Sequence, residues 1–313
     1  MKAIRVHAFG GPEVLQLDQT EAPQIKAGEV LVRIGAAGVN PVDCKIRQGG
    51  FPKITQAQLP VTLGRDICGV IEQSEARGEA QGKAYRPGDE VYALLDWTLG
   101  GYAQFVAIPA SLCVPKPQRL SVIEAGAVPL AALTAWQGLF DYGALKEGQR
   151  VLIHAGAGGV GHFAIQFARE RGARVFATAS AQHLDFVREL GAEVAIDYHT
   201  QRFEDQLREL DLVYDLVGGE TRARSFSVLK PGGALVSTVG QPDEREADKH
   251  QVHAKGYMAQ PNRRQLEEIS RLIDAGRVHP KVTRSFALEQ AAEAHRFLEQ
   301  EHPAGKVVLT VES

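Results

Sequence analysis

The most informative segment of this chain is Val151-Leu-Ile-His-Ala-Gly156-Ala-Gly158-Gly159-Val160-Gly161. It places the pattern Gly-x-Gly-x-x-Gly between an apolar run and an amphipathic stretch that ends at Arg171. The first glycine of such a pattern permits a tight turn, the second lets backbone amides approach a pyrophosphate, and the third lets helix and strand pack closely. The segment therefore predicts a dinucleotide-binding turn made by Gly156, Gly158 and Gly161. An ordinary strand-to-helix turn is the alternative.

The chain after this turn alternates between strand-like and helix-like stretches. Arg174–Ala179 reads as a strand, and Leu184–Leu190 reads as a helix that Gly191 closes. Three more apolar runs read as strands, namely Val194–Asp197, Leu212–Val217 and Ala234–Val239. This alternation predicts a doubly wound parallel sheet covered by helices, which is the Rossmann type of α/β architecture.

The chain before Leu120 has a different pattern of apolar runs and turns. Short apolar runs separated by Gly/Pro turns predict an irregular, mostly antiparallel β domain, with strands at Met1–Phe9, Val30–Ala36, Asp66–Gln73, Glu90–Leu95 and Tyr102–Ile108. The tail predicts a helix after Pro261, a helix over Leu288–Glu299 and a strand over Lys306–Val311. The expected domains are 1–121, completed by 262–313, and 122–261.

Composition narrows the class of protein. The 313 residues contain 35 Lys+Arg and 38 Asp+Glu, a net charge of −3 that disfavours a nucleic-acid partner. Three cysteines without a Cys-x-x-Cys pair exclude a disulfide framework and a four-cysteine zinc site. The N-terminus lacks a signal-peptide core, and no apolar run has the length of a membrane span. We expect a soluble cytoplasmic protein with no membrane partner.

The end of the second Rossmann strand predicts which dinucleotide binds. NAD sites usually place an acid there to hold the ribose 2′-OH, but no acid occurs before Asp185. Ser180 and His183 follow the strand, and Tyr198 follows the next one; all three can donate a hydrogen bond. The pattern favours NADP(H) over NAD. For each residue a solvated surface position is the alternative.

Short stretches along nearly the whole chain resemble one family, the zinc-independent medium-chain dehydrogenase/reductases of the quinone oxidoreductase or ζ-crystallin-like group. Besides the glycine turn, the matching stretches are Phe9-Gly-Gly-Pro-Glu-Val-Leu, Ala37-Gly-Val-Asn40-Pro-Val-Asp43, Gly64-Arg-Asp-Ile-Cys-Gly-Val-Ile, Pro87-Gly-Asp-Glu-Val-Tyr, Gly101-Tyr-Ala-Gln-Phe-Val, Ala132-Leu-Thr134-Ala-Trp, Leu229-Lys-Pro-Gly-Gly and Gly305-Lys306-Val-Val-Leu. The resemblance implies a GroES-like β-rich domain followed by a Rossmann domain, with the tail rejoining the first.

The resemblance also implies roles for individual residues. Asn40 is expected near the nicotinamide, where it binds a carbonyl or the ribose, and Tyr102 is a candidate proton donor, with packing as its alternative. The remaining cofactor-binding residues implied are Thr134, the backbone of Gly158, Gly159 and Val160, the strand ends Val217, Gly218 and Val239, and Lys306. For Lys306, which is expected near the cleft, a solvated strand end is the alternative. Family members often dimerise through the last Rossmann strand, which here lies in the polar stretch His250–Tyr257, so a homodimer is a further expectation.

Zinc-dependent relatives differ at three positions. Their catalytic zinc is held by a Cys and a His-Glu pair, at positions where this chain has Asn40, Arg65 and Asp66. Zinc needs several thiolate, imidazole or carboxylate ligands around one point, so no metal is expected. Cys44 lies nearby as a lone thiol, and Arg65 and Asp66 could form an ion pair at this position.

The expected chemistry follows from the missing metal. Without a Lewis acid, alcohol oxidation is disfavoured, which leaves hydride transfer from NADPH to an acceptor activated by conjugation. The sequence therefore predicts an NADPH-dependent quinone or enone reductase, with water as one source of the proton. A cofactor-binding structural or regulatory protein with little turnover is the alternative.

Overall fold

A computed structural model describes residues 1–76 and 85–312, which divide into two compact units. Unit 1 comprises Met1–Leu130, Pro261–Gly276 and Pro280–Ser313, and unit 2 comprises Ala131–Gln260 with Arg277–His279. None of the described helices combines the length and the apolar character that crossing a membrane requires.

The described residues form strands and helices with the following bounds. The strands are β1 Lys2–Val6, β2 Leu15–Gln19, β3 Glu29–Val39, β4 Val61–Thr62, β5 Asp66–Ser74, β6 Glu90–Leu94, β7 Phe105–Pro109, β8 Val114–Pro115, β9 Arg150–Ile153, β10 Arg174–Ala179, β11 Val194–Asp197, β12 Leu210–Asp215, β13 Leu229–Ser237, β14 His253–Gly256, β15 Val282–Ala287 and β16 Lys306–Thr310. The helices are α1 Pro41–Arg47, α2 Val122–Gly126, α3 Pro129–Trp136, α4 Gly161–Glu170, α5 Leu184–Leu190, α6 Phe203–Gln206, α7 Gly219–Ser225, α8 Glu244–His250, α9 Arg263–Asp274 and α10 Ala291–Glu301.

Unit 1 is the GroES-like, β-rich unit. Its main sheet has the order β15-β16-β3-β5-β6-β8, with β7 also paired to β3, and a second sheet has the order β2-β1-β4. The tail strand β16 runs antiparallel to β3, with Val307 opposite Val39, and β5 pairs with the other edge of β3, with Asp66 opposite Gly38. This register brings Lys306, Asn40 and Asp66 to one end of three adjacent strands.

The core of unit 1 explains why these strands are held in one register. Val32, Ile34, Ile67, Ile71 and Val307 are each at most 2% exposed. Because side chains alternate between the two faces of a strand, a shift by one residue would move these apolar side chains out of the core. The buried apolar face therefore fixes the polar residues at the strand ends.

Unit 2 is the Rossmann unit. All its strand pairs are parallel, and the sheet order is β11-β10-β9-β12-β13-β14. Counted from β9, this is the order 3-2-1-4-5-6 of dinucleotide-binding sheets, in which the ligand crevice opens where the winding direction reverses, beside the first strand. Helix α4 packs its apolar stripe inward, with Phe163, Ala164, Phe167 and Ala168 at most 1% exposed.

Several predicted elements have other bounds in the structure. The strands predicted over Leu212–Val217 and Ala234–Val239 are β12 Leu210–Asp215 and β13 Leu229–Ser237, so Val217 and Val239 follow their strands. The strand predicted over Tyr102–Ile108 begins only at Phe105, because the backbone of Tyr102 bonds elsewhere: its N–H donates to Leu63 and its carbonyl accepts from Ile4. The helix predicted over Leu288–Glu299 begins with a 3₁₀ turn, and its α-helical part covers Ala291–Glu301. Ser121 caps helix α2, since its Oγ accepts the Glu124 N–H at 3.2 Å.

Candidate functional site

The glycine turn of unit 2 connects β9 to α4. The Gly156 N–H donates to the Thr178 carbonyl of β10 at 2.8 Å, and the Gly158 N–H donates to the Ala155 carbonyl at 3.0 Å. Helix α4 begins at Gly161, so the amides of its first turn lie at the carboxyl end of β9. First-turn amides lack acceptors within their own helix and favour an anion.

The three positions of the turn require a glycine for different reasons. A Cβ on Gly161 would lie 2.2 Å from the Ala155 carbonyl oxygen, and one on Gly156 would lie 2.9 Å from the Cβ of Ala177. At Gly158 the nearest atom to a Cβ is the Ala155 carbonyl oxygen at 3.3 Å, with nothing else within 4 Å. Packing requires Gly156 and Gly161, whereas Gly158 leaves open space over the turn. Such a cradle fits the pyrophosphate of a dinucleotide.

The residues predicted to choose between NADP and NAD lie at the same edge of the sheet. Ala179 pairs with Asp197 across β10 and β11, so Ser180 and Tyr198 follow adjacent strands, and the Tyr198 N–H donates to the Ala179 carbonyl at 3.2 Å. Tyr198 is 55% exposed, and His183 is half-buried beside Gln182. The structure brings the three residues to one edge, and their contact with a 2′-phosphate stays a prediction.

Val217, Gly218 and Val239 are also neighbours, and a buried acid that the sequence analysis missed organises them. Asp215, fully buried at the end of β12, accepts the N–H groups of Val217 at 3.0 Å and Gly218 at 2.7 Å. Ser237 donates to its other oxygen, and a Cβ on Gly218 would lie 3.0 Å from Val239. An acid at the end of an apolar strand, followed by Gly-Gly, is the signal that could have identified it.

Thr134 of α3 is held in unit 2 by two tyrosines. The hydroxyl groups of Tyr214 and Tyr257 donate to its carbonyl oxygen at 3.0 and 2.5 Å, and the residue is 8% exposed. These bonds fix the backbone of Thr134, while the predicted contact of this residue with a nicotinamide stays a prediction.

Unit 1 contains a buried polar cluster made by Asn40, Asp66 and Lys306. The Asn40 amide nitrogen donates to Asp66 Oδ2 at 2.9 Å, and Lys306 Nζ donates to Asn40 Oδ1 and, at 3.2 Å, to Asp66 Oδ2. Asp66 Oδ1 accepts the N–H of Leu130 at 2.5 Å. All three side chains are at most 5% exposed. The cluster therefore holds an ammonium group and an amide with fixed orientation.

A chain of hydrogen bonds on the backbone side of Asn40 holds this residue in place. The Asn40 N–H donates to Asp43 Oδ2 at 2.8 Å, and the same oxygen accepts the Tyr102 hydroxyl at 3.1 Å. Tyr102 Oη also lies 3.3 Å from His295 Nε2, and Arg47 Nη1 lies 3.2 Å from His295 Nδ1. Because arginine only donates, Nδ1 must accept, so the neutral imidazole carries its proton on Nε2 and donates to Tyr102.

Burial shifts the pKa of several groups in this chain. Burial raises the pKa of Asp43 to about 6, an effect that the Asn40 N–H and the Tyr102 hydroxyl oppose. Burial lowers the pKa of His295 to about 3, and it raises the pKa of Tyr102 well above its usual range. The hydroxyl predicted as a proton donor is thus fully buried and hydrogen-bonded to a carboxylate. Its role in proton transfer stays a prediction.

The residues at the positions of a catalytic zinc site do not fit zinc. The Asp66 carboxylate is bonded to a lysine ammonium, an asparagine amide and a backbone N–H, and Arg65 adds a second cation. Within residues 1–76 and 85–312, no three His, Cys, Asp or Glu side chains are placed to hold a metal ion. The sequence hypothesis of an Arg65–Asp66 ion pair is wrong, because β16 inserts Lys306 as the direct partner of Asp66.

Two family models match parts of this chain. A model described as an alcohol dehydrogenase GroES-like domain matches residues 26–118, and one described as a zinc-binding dehydrogenase matches residues 190–309. Asn40, Arg65 and Asp66 lie in the range that the first model matches, outside residues 190–309.

Two curated relatives and one solved structure align over almost the whole chain. The mitochondrial NAD(P)H oxidoreductase RTN4IP1 of Danio rerio is 33% identical over 99% of this chain and 91% of its own length. The chloroplastic NADPH-dependent alkenal/one oxidoreductase of Arabidopsis thaliana is 35% identical over 99% of this chain and 79% of its own length. The quinone oxidoreductase structure from Coxiella burnetii superposes with a TM-score of 0.92 at 34% identity, covering 100% of this chain and 99% of that one.

Proposed function

Because the chain belongs to the quinone oxidoreductase family of medium-chain dehydrogenase/reductases and is an oxidoreductase, we propose that it reduces quinones or α,β-unsaturated carbonyls with NADPH and without zinc. NADPH, when bound, supplies the hydride. The names of the alkenal/one oxidoreductase and of the quinone oxidoreductase support this acceptor class, and the name NAD(P)H oxidoreductase supports the nicotinamide cofactor.

The observation that carries the proposal is the buried ammonium of Lys306 between Asn40 and Asp66. When a hydride adds to a conjugated carbonyl, negative charge develops on the carbonyl oxygen. A fixed donor in a dry site stabilises that charge more than water does, because it needs no reorganisation. Lys306 has three N–H donors, of which Asn40 and Asp66 take two, so the third is the donor we assign to the substrate oxygen.

The carbon or oxygen that must then be protonated takes its proton from water in this proposal. Tyr102 is 0% exposed, and its hydroxyl proton is engaged by Asp43. The chain from His295 through Tyr102 to Asp43 instead orients the backbone of Asn40. We therefore assign Asn40 to the substrate carbonyl or to the cofactor ribose. Lys306, which the sequence predicted to bind the cofactor, is assigned in this proposal to the substrate oxygen.

The cofactor proposal rests on unit 2. The open space above Gly158 and the first-turn amides of α4 favour the pyrophosphate, with the backbone of Gly159 and Val160 beside it. Ser180, His183 and Tyr198, with no acid between Phe176 and Gln182, favour the 2′-phosphate of NADP(H). Thr134, Val217, Gly218 and Val239 are assigned to the ribose and nicotinamide; Val217 is 51% exposed, which suits an apolar contact with a ring.

The proposal is tested by NADPH consumption with 1,4-benzoquinone, 9,10-phenanthrenequinone and a short enone. Turnover of at least one acceptor supports it. Tight NADPH binding without turnover of any would favour the cofactor-binding structural or regulatory alternative. Elemental analysis of the active protein tests the metal: stoichiometric zinc would contradict a zinc-free reaction.

We further propose a cytoplasmic homodimer that binds neither nucleic acid nor membrane. Strand β14 is the last strand at its edge of the Rossmann sheet, and its residues are half-buried or exposed. Such an edge offers unpaired backbone groups to a second copy. Light scattering of the purified protein measures the mass, and a monomer at micromolar concentration would exclude the dimer.

A further inference from the structure

Arg65 is a buried cation whose two terminal nitrogens have no acceptor in the described part of the chain. Its side chain is 2% exposed, and its Nε donates to the Leu95 carbonyl at 2.6 Å. Both terminal nitrogens, Nη1 and Nη2, are buried and have no hydrogen-bond partner among residues 1–76 and 85–312. An arginine has five N–H donors. Burying one that makes a single hydrogen bond costs folding free energy, because its other donors lose their hydrogen bonds to water and gain no acceptor.

Trp97 adds another unpaired donor at the same place. The guanidinium carbon of Arg65 lies 3.4 Å from the centroid of the Trp97 ring. The indole Nε1 is also buried, and no described residue is its hydrogen-bond partner. The ring of Phe51 lies 4.5 Å from that of Trp97, at an interplanar angle of 32°. Arg65, Trp97 and Phe51 thus combine planar apolar surfaces with unpaired N–H donors. A ligand that supplies an acceptor oxygen would satisfy these donors.

The surrounding charges keep Arg65 protonated without satisfying its donors. Burial lowers the pKa of Arg65 to about 10, while the negative charges of Asp43, Asp66 and Asp96 oppose that shift. Asp66 bonds to Lys306 and Asn40, and Asp96 accepts the Trp97 backbone N–H at 2.6 Å. Lys53 Nζ lies 5.3 Å from the Trp97 centroid and adds a cation on an exposed side chain. With these acids present, a neutral acceptor is favoured over a further anion.

We propose that Arg65 and Trp97 form a recognition site for the second carbonyl oxygen of a quinone, the one that does not meet Lys306. A quinone is planar, stacks on aromatic rings and carries two acceptor oxygens, whereas a simple enone carries one. Trp97 is only half-buried, so a small shift of its indole opens the Nη edge of Arg65 to that oxygen. This inference rests on the proposed function and makes the enzyme selective for quinones among conjugated carbonyls.

The test compares duroquinone, whose full substitution prevents addition to thiols, with cyclohex-2-enone. In Arg65→Met we expect kcat/KM for duroquinone to fall about 10- to 100-fold, the usual effect of losing a hydrogen bond from a charged donor, with cyclohex-2-enone changed less than about 3-fold. Trp97→Phe keeps the ring and removes only its N–H, and we expect a loss of about 3- to 10-fold for duroquinone alone. Lys53→Met is the matched control, since it removes an exposed cation from the same ring, and both substrates should be unaffected.

A binding measurement separates this inference from the proposed function. With NADP⁺ in place of NADPH no hydride is available, so duroquinone titrated into that complex should shift the indole N–H resonance of Trp97, which Trp97→Phe assigns, whether or not the enzyme turns over quinones. No turnover of any acceptor but a shifted resonance would refute the reductase and keep the site. Equal losses for both substrates in Arg65→Met and Trp97→Phe, or an unmoved resonance, would overturn the site.

Discussion

The Nζ of Lys306 lies 3.2 Å from Oδ2 of Asp66, and the two side chains are 3% and 0% exposed. The residues are 240 positions apart in sequence and meet because β16 and β5 flank β3. A buried charge needs a nearby countercharge to offset the loss of hydration. Each of these two residues therefore depends on the other, and a zinc ion would compete with the ammonium for Asp66.

The first prediction separates the structural from the catalytic role of this pair. Lys306→Met should destabilise the protein by about 3–5 kcal/mol, because it leaves the Asp66 carboxylate buried and unpaired. Adding Asp66→Asn should restore most of that stability while kcat/KM for a quinone stays reduced by about 100-fold, since the donor is still missing. Thermal unfolding and steady-state kinetics measure both; recovery of activity along with stability would assign Lys306 a structural role only.

The second prediction concerns the pyrophosphate. Gly158→Val should weaken NADPH binding at least about 30-fold, since a side chain would fill the space above the turn, with little change in Tm. Gly161→Ala is the contrasting variant: its Cβ would lie 2.2 Å from a backbone oxygen, so Tm should fall. Fluorescence titration with NADPH checks the affinities. Unchanged affinity in Gly158→Val would mean that the phosphates bind elsewhere.

The third prediction addresses the choice of cofactor. Ser180→Asp should weaken NADPH binding about 10- to 100-fold more than NADH binding at low salt, because a carboxylate repels the 2′-phosphate. Ser227→Asp introduces the same charge before β13, at the amino-terminal end of the strands, and should leave the ratio unchanged. An identical NADPH/NADH ratio in Ser180→Asp and wild type would place the 2′-phosphate away from Ser180.

The fourth prediction is a pH dependence of stability that Asp43 produces. Burial raises its pKa from 3.8 to about 6, so the folded chain holds a proton that the unfolded chain releases. This contribution is complete below about pH 4 and disappears as the pH rises through 6, a change on the order of 2–3 kcal/mol. The Tm of wild type relative to Asp43→Asn, which resembles the protonated acid, should therefore decline from pH 4 to 7. A constant difference would show that Asp43 does not titrate in this range.

The fifth prediction concerns Tyr102. If water supplies the proton, Tyr102→Phe should lower kcat less than about 10-fold and leave the solvent isotope effect unchanged, because the hydroxyl only helps Asp43 to orient Asn40. Stopped-flow measurements in H₂O and D₂O give both values. Loss of the isotope effect together with a loss of kcat above about 100-fold would instead make Tyr102 the proton donor.

The features that depend on a local pattern could be predicted from the sequence alone. The strand, the Gly-x-Gly-x-x-Gly turn and the amphipathic helix are contiguous, so their geometry is encoded within about twenty residues. The GroES-like and Rossmann organisation followed from the change of texture near Leu120 and from the family resemblance, and the comparisons confirm it. The missing acid after β10 was also visible, because it concerns a single strand end.

Which polar side chains contact each other depends on how the strands and helices pack. The pairing of Lys306 with Asp66, rather than Arg65 with Asp66, depends on the antiparallel register of β16 against β3, and strand pairing over such separations leaves no local pattern. The burial of Tyr102 beside His295 and the unpaired donors of Arg65 and Trp97 likewise arise from packing between segments far apart in the chain. Residue types and local periodicity specify elements, whereas side-chain partners depend on how the elements pack.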